Sequence, residues 1–510
     1  MHYMLPPLDR IPEARGLVER GSYFVVHAPR QTGKTTSLRA LARTLTADGR
    51  YAALAFSCEA GSIFGDQIGK AEDAVLAEVG FEAVALPAEL RPPGVWPAAP
   101  EGQRIRGAFG AWANGCPRPL VLLIDEIDAL RGAALESVLR QLRAGFASRP
   151  SGAPWSVVLC GLRDVRDYRI ASGADPDRMG TSSPFNVKTK SVRLGSFDRD
   201  EVRALYGQHT ADAGQTFTDG AIERAFALSG GQPWLVNALA REVIEELAVP
   251  PSEPITAAHF DSAKERLILA RQTHLDSLVA RLQEPRVRRV IAPLLAGEPG
   301  EPGDSYDDDL QFVRDLGLVT QGNPPAVANP IYREVVVRVL AGFAEASIQL
   351  PDRTWVRDGR LDLQAMLDAF ADFWREQGAA LAPKMPYHEV AAQLVLFAWL
   401  QRIVNGGGFI DREYGVGMRR IDVLVRWPVP SEKGGWQREA LELKVRRDDT
   451  ADPTPEGLRQ IEGYLSSLGL GHGWLVVFDR RTGAPPVATR TRFVEATTPA
   501  LGLRVTVLHA

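Results

Sequence analysis

The chain has 510 residues, 45% hydrophobic and 24% charged, with a formal net charge of -4 at pH 7. That length exceeds one core and fits about three domains, and the near-neutral balance gives no global sign of a nucleic-acid binder. Three widely spaced cysteines, Cys58, Cys116 and Cys160, make neither a disulfide framework nor a metal cluster, and no apolar run is long enough to span a bilayer, so a cytoplasmic protein without a membrane partner is expected.

Met1 to Gly21 is too polar for a signal peptide and leads into the first strand, placed to wrap the base of a bound nucleotide. Tyr23 to Leu38 reads YFVVHAPRQTGKTTSL: an apolar run, a turn through Ala28, Pro29, Arg30, Gln31, Thr32 and Gly33, then Lys34, Thr35 and Thr36 opening a helix. Strand, turn and helix N-terminus in that order suit a nucleoside triphosphate, because the N–H groups of the turn and the helix dipole cradle phosphates. Lys34 is placed for the terminal phosphates and the Thr35 hydroxyl for magnesium. Ala28 stands where GxxxxGK[ST] has its first glycine, which requires a negative φ there.

Tyr51 to Ser57 reads as a second strand, closing with Cys58 and Glu59 as surface residues. Ser62 to Val79 reads as a helix stopping at Gly80, and Pro87 to Pro100 as loop. Leu120 to Leu130, LVLLIDEIDAL, is a buried parallel strand delivering acids to its C-terminal edge. Asp125 is the magnesium partner through water, Glu126 orients and polarises the attacking water, and Asp128 has no assigned role. Ala133 to Phe146 is an amphipathic helix and Trp155 to Leu162 a further buried strand. Arg163 at its end, with Arg166 beyond, is either a sensor of the γ-phosphate or a solvated strand end.

Ser191 to Leu194 is a short strand, Asp198 to Gly207 a capped helix, and Ala221 to Leu228 a helix broken by Ser229, Gly230, Gly231, Gln232 and Pro233 before Trp234 restarts it. APRQTGKT, LLIDEIDAL and SGGQPWLVNALA, in this order, resemble the AAA-like and STAND ATPases of bacteria and archaea over residues 1 to 345. The resemblance implies a P-loop parallel sheet with a helical lid, ATP as ligand, and Pro233 close to the nucleotide. Phe260 to Leu282 and Val287 to Leu295 continue as helices and GEPGEPGD from Gly297 is loop. A short helix from Leu310 to Leu316, a hairpin opening at Gly317 to Val319 and a helix from Ala328 to Leu340 look like the winged-helix module of that class. Its helix from Leu310 follows a run of acids and is a poor DNA reader.

Ile348 to Asp362 reads as linker. Beyond it come a helix from Met366, a longer one from Tyr387 to Val404 carrying Glu389, strands Phe409 to Tyr414 and Met418 to Val425 carrying Asp422, and a strand Glu439 to Val445. Alternation places Glu442 and Lys444 of that strand on one face. Asp422 and Glu442, with Glu389 as a third, are hard oxygen ligands suited to magnesium or manganese. Lys444 is placed to position a water or stabilise developing charge. A helix with Gln460 and Tyr464 and a strand Trp474 to Phe478 complete an αβββαβ succession that resembles the PD-(D/E)xK restriction-endonuclease-like superfamily. Gln460 and Tyr464 look like the QxxxY element of its nuclease branch, which supports the metal or contacts the DNA backbone; Ile421 replaces the family's proline.

From Met366 onward eighteen lysines and arginines face seventeen acids, so a basic groove must come from arrangement, with Arg419, Arg420, Arg446 and Arg447 as its members. No aromatic platform for bases stands out. The expected organisation is an ATPase with lid over 1–250, a winged-helix module over 251–345, a linker over 346–365 and a nuclease-like domain over 366–510. Two functions fit: an ATPase gating a metal-dependent DNA endonuclease, or an ATP switch or scaffold whose inactive nuclease-like domain binds a partner or nucleic acid. Homo-oligomers and protein partners are compatible with both.

Overall fold

The structure, a computed structural model, describes residues 3–162, 188–269, 280–282, 284–295, 304–345, 355–381, 391–405, 407–416, 419–429, 435–448 and 451–510. Two compact units divide the chain: Met1–Leu267 with Val313–Leu318, and Ile268–Phe312 with Val319–Ala510. Arg163, Arg166 and Glu389 lie outside the described residues.

In the first unit β1 (Tyr23–His27), β2 (Ala52–Ser57), β3 (Leu120–Asp125), β4 (Ser156–Gly161) and β5 (Lys188–Arg193) form a parallel sheet in the order β2-β3-β4-β1-β5. Both faces of β1 to β4 are covered, which is why these four strands read as apolar runs. Tyr23 and Val25 of β1 enter one core, with Phe109 and Trp112 of the helix Arg104–Gly115; Phe24 and Val26 enter the other, with Leu38 and Leu41 of the helix Lys34–Ala47. Cys58 is fully buried in the first of these cores, contrary to its reading as a surface residue.

The helix expected to stop at Gly80 runs from Ile68 to Glu82, preceded by a separate turn of 3₁₀ helix at Glu59–Phe64. Gly80 faces solvent, with open space around a Cβ built there, so it costs this helix about 1 kcal/mol without ending it. Asp198 caps the helix Arg199–Ala213 in a reciprocal box with Glu201. Gly230 and Gly231, at φ 58° and 71°, separate the helix Asp219–Ser229 from Pro233–Arg241, which Pro233 opens.

In the second unit the helix read from Leu310 begins already at Asp304. The expected hairpin after Gly317 is reduced to one bridge, Val319 to Val327, before the helix Pro330–Glu345. A small hairpin, β6 (Val356–Arg357) with β7 (Arg360–Leu361), places Leu361 in the C-terminal core. The main sheet comprises β8 (Phe409–Val416), β9 (Arg419–Val429), β10 (Gly435–Arg446), β11 (His472–Asp479), β12 (Arg492–Thr497) and β13 (Arg504–His509), in the order β12-β13-β11-β10-β9-β8. β8, β9 and β10 are an antiparallel meander, and β11 joins β10 in parallel after the crossover helix Thr454–Leu468. Helices Leu363–Leu381 and Ala391–Asn405 cover one face through Phe370, Trp374 and Trp399, and the crossover helix covers the other through Ile461 and Leu465. Among the described residues no helix is long and apolar enough to cross a membrane.

Candidate functional site

The loop after β1 carries its sharp turn on Gln31 (φ 57°) and Gly33 (φ 91°), while Ala28 keeps a negative φ, as its side chain requires. The Thr32 hydroxyl donates to Pro29 O at 2.9 Å. Lys34 Nζ donates to Ala28 O at 2.8 Å and Pro29 O at 2.7 Å, so the ammonium folds back over the loop that is to hold phosphate. Burial lowers the Lys34 pKa, opposed by Asp125, Asp128 and Glu126 among others. A nearby polyanion therefore meets a cation that carbonyl oxygens have only partly compensated.

The sheet order brings the acidic end of β3 to this loop. Thr35 Oγ1 donates to Asp125 Oδ2 at 2.5 Å, and Asp125 is only 5% exposed. Glu126 adopts a left-handed conformation at φ 51°, with its N–H donating to Asp125 Oδ1 at 2.9 Å. Its carboxylate leaves the strand direction and meets the Ser57 hydroxyl, which donates to Glu126 Oε2 at 2.7 Å. Burial raises the Glu126 pKa and the Ser57 bond lowers it. Asp128 accepts from Leu162 N at 3.1 Å, which gives that acid a role: it ties the loop after β3 to the end of β4.

A cavity of ≈ 1040 Å³ opens beside the loop, lined by Gly33 and Thr36 on one side, Tyr3 and Arg10 from the N-terminal segment, and Pro233 and Trp234 from the lid. Pro233 thus lines the cavity beside the loop. Tyr3 Oη donates to Asp212 at 2.9 Å, and Met4 exchanges two main-chain hydrogen bonds with the Gln208 amide, at 3.1 and 3.2 Å. Arg10 reaches Thr32 O at 3.4 Å with its guanidinium 4.7 Å over the Phe197 ring. Phe197 N donates to Gly231 O at 2.7 Å, and a Cβ at Gly231 would fall 1.9 Å from Phe197 O, so only glycine fits. Loop, N-terminal segment and lid are therefore joined through Arg10 and Phe197.

The segment Val313–Leu318 folds with this unit. Gly317, at φ 76°, abuts Pro29 so closely that a Cβ would lie 2.6 Å from Pro29 Cγ, and Arg193 at the end of β5 donates to Arg314 O at 3.4 Å. Ser57, Arg10, Trp234 and Gly317 were not singled out from the sequence as site residues. Ser57 ends a strand whose neighbour is known only once the strand order is known.

In the second unit β9 and β10 bring three of the expected residues together. Leu443 N donates to Asp422 Oδ2 at 2.8 Å, and Lys444 Nζ lies 2.9 Å from Glu442 Oε1. Lys444 also donates to Gln460 Oε1, and Gln460 Nε2 donates to Glu456 at 2.9 Å. Gly457 lets the crossover helix come this near: a Cβ there would sit 2.7 Å from Leu475 and 3.4 Å from Lys444 Cγ. Glu442 is 2% exposed, and its Oε2 is buried with no hydrogen-bond partner. Burial and then the charge of Asp422 push its pKa well above the ordinary range, against the pull of Lys444. Tyr464 is buried in the apolar layer with Leu424, Ala440 and Ile461. Arg446 pairs with Asp452 at 3.5 Å. The side chains of Arg419 and Arg420 lie outside the described residues. Among the described residues no three His, Cys, Asp or Glu converge on a metal position.

Residues 18–168 match the family model described as an AAA domain. No curated protein matches the chain. Among solved structures, a Walker-type ATPase of Pyrococcus abyssi is similar at 12% identity and a TM-score of 0.46, covering 65% of this chain and 96% of that one. The Orc1 protein of Aeropyrum pernix in complex with DNA (14%, 0.35, covering 68% and 96%) and the RuvB Holliday junction branch migration motor of Thermotoga maritima (16%, 0.33, covering 67% and 94%) are similar over comparable lengths. At these scores the likenesses carry no argument about activity. The family match, the loop holding Lys34 and Thr35, and the acidic end of β3 agree: the first unit contains an AAA-type P-loop ATPase domain.

Proposed function

We propose that this protein binds and hydrolyses ATP in its first unit and that the nucleotide state gates a metal-dependent phosphodiesterase, a DNA endonuclease, in its second. In the first unit the loop N–H groups and Lys34 hold the phosphates, Thr35 and Asp125 suit a magnesium ion, and Glu126, aimed by Ser57, takes a proton from the attacking water. Lid and N-terminal segment line the cavity, and Arg10 with Phe197 links nucleotide occupancy to the lid. Gating requires that nucleotide favour one of two arrangements by differential affinity.

The observation that carries the nuclease half is Glu442 Oε2, a buried carboxylate oxygen without a partner beside Asp422 and Lys444. Leaving such a group unsatisfied costs about 1–3 kcal/mol or more, a cost that a hard cation removes. Asp422 and Glu442 have the oxygen chemistry for magnesium or manganese, which would supply charge neutralisation and an acidified water. Lys444, held by Gln460, is placed to steady charge developing on a phosphodiester. Plasmid and linear DNA, incubated with magnesium or manganese and with or without ATP, should be cut by the wild type and spared by Asp422→Ala, while ATP hydrolysis persists. Lys34→Ala should remove nucleotide binding and any ATP effect on cutting. No cutting under any condition would refute the nuclease half.

The second reading is an ATP switch whose C-terminal unit only binds a partner or nucleic acid. ATP hydrolysis with no DNA cleavage, unchanged by Asp422→Ala, is its expected result.

A further inference from the structure

The C-terminal sheet carries a cluster outside the carboxylate site. Phe409 of β8 and Trp436 of β10 pack edge to face, with ring centroids 5.5 Å apart and planes at 63°. The Arg426 guanidinium of β9 lies 5.4 Å from the Phe409 centroid and 5.8 Å from that of Trp436. Trp436 is 40% exposed, unusual for the largest side chain, and Arg438 beside it is exposed. Phe409 and Trp436 lie 27 positions apart, so nothing in the sequence joins them.

Register supplies the electrostatic argument. Arg438 and Arg426 are directly opposite across β9 and β10, and like charges so placed are destabilising. Asp411, 5% exposed, takes Arg426 through a 2.7 Å bond. Among the described residues no carboxylate is ion-paired with Arg438. Asp411 thus answers Arg426, while Arg438 is exposed without an ion-paired carboxylate among the described residues, so an anion is a partner that Arg438 can take.

Strand alternation puts Trp436 and Arg438 on the face that also carries Glu442 and Lys444, and puts Arg426 on the face that carries Asp422. Both belong to the side covered by the crossover helix, because Ala440 and Leu424, which share that alternation, pack under it. From Trp436 to Glu442 along β10 is about 20 Å at about 3.3 Å per residue, a span of a few nucleotides.

Resting on the nuclease reading above, we propose that Trp436, Phe409, Arg426 and Arg438 form a platform that stacks an unpaired base and holds its phosphate, so that this unit takes single-stranded nucleic acid. An exposed indole and a guanidinium supply the two contacts a single strand offers, a base face and a phosphate, whereas a duplex hides its base faces in the stack. A protein partner would need no second arginine opposite the first.

The test uses the full chain in chelator, so that binding is read without cleavage. Fluorescein-labelled oligo-dT, oligo-U and a duplex are titrated by anisotropy against wild type, Trp436→Ala, Trp436→Phe and Arg438→Ala. Trp436→Ala should weaken single-strand binding about 5- to 150-fold, Trp436→Phe should recover most of it, and Arg438→Ala should flatten its salt dependence. Duplex affinity and ATP hydrolysis should not change, and the ratio of oligo-dT to oligo-U affinity distinguishes DNA from RNA. Equal single-strand affinity in wild type and Trp436→Ala, an equal loss for duplex and single strand, or no binding by wild type would overturn the proposal. A protein that cuts DNA but is indifferent to Trp436→Ala refutes the platform alone. One that binds single strands through Trp436 yet never cuts refutes the nuclease alone.

Discussion

Gly317→Ala probes the brace on the nucleotide loop without replacing any residue of that loop. Gly317 sits at φ 76°, and an added Cβ would lie 2.6 Å from Pro29 Cγ and 2.7 Å from Pro29 Cβ. A left-handed conformation costs an L-residue about 1–2 kcal/mol. Carbon atoms normally meet at about 3.5–4.0 Å, so the contact is about 1 Å too short, and overpacking of that kind costs about 1–3 kcal/mol. The sum is about 2–5 kcal/mol of stability. If about 1 kcal/mol of the overlap falls on the loop as a displacement of Pro29, nucleotide binds about fivefold weaker. Chemical denaturation reads the first quantity and titration with a fluorescent ATP analogue the second. Pro29→Gly removes both clashing atoms but not the backbone strain, so a double-mutant cycle should recover only the overlap part. Wild-type stability and affinity in Gly317→Ala, or strict additivity in the cycle, would show that Gly317 does not brace the loop.

Glu126→Gln should bind nucleotide as wild type does and hydrolyse it at least about a hundredfold more slowly; equal turnover rules out Glu126 as the base. Ser57→Ala removes the bond that lowers the Glu126 pKa against burial, so the acid limb of the hydrolysis rate against pH should move upward, and an unmoved limb would reduce Ser57 to a packing role. For Glu442, burial and the Asp422 charge lift the folded-state carboxyl to about 8. The folded chain then holds the proton more tightly than the unfolded chain. The stabilisation is complete below the ordinary carboxylate range and is lost as pH rises towards about 8. Thermal melts in chelator should fall across that window in wild type and stay flatter in Glu442→Gln; parallel curves would refute the assignment.

The nucleotide site was legible where one stretch of chain carries a whole function. The loop from Ala28 to Thr35 is continuous, and β3 reads as buried because parallel strands covered on both faces leave no polar alternation before Asp125. Asp422 and Glu442 were legible because antiparallel neighbours in a meander stay close in sequence. What was missed depends on which strand lies beside which. Ser57 reaches Glu126 only because β2 borders β3, and Trp436 meets Phe409 only across β9. The errors at Gly80 and after Gly317 have another cause: an exposed glycine is a modest cost that a long helix absorbs, and two apolar runs about a turn do not compel a ladder beyond the single bridge at Val319 and Val327.

Buried acids in the second unit differ in how their charge is answered. Asp309, 3% exposed, gives one oxygen to Arg286 at 2.5 Å and the other to Arg289 at 2.7 Å. Asp411 is held by Arg426. Both follow the rule that a buried carboxylate survives only when its charge is answered. Glu442 departs from it: Lys444 answers one oxygen, the other has no hydrogen bond, and a second carboxylate, Asp422, stands against it. Packing alone would be better served by an apolar side chain of the same volume, since replacing a buried ion pair in that way is often neutral or stabilising. Under the nuclease proposal, a carboxylate kept at such a cost, with a second acid facing it and a lysine fixed by Gln460, would be answered by a cation entering from outside, because hard-cation chemistry is what two facing carboxylates offer. Titration of the wild type and of Asp422→Ala with manganese, followed by calorimetry or by the magnetic broadening of nearby resonances, reads that capacity without any nucleic acid present. Binding by wild type and loss in the variant supports a cation site, whereas equal and negligible heats in both would leave Glu442 an internal strain and the C-terminal unit a binding module.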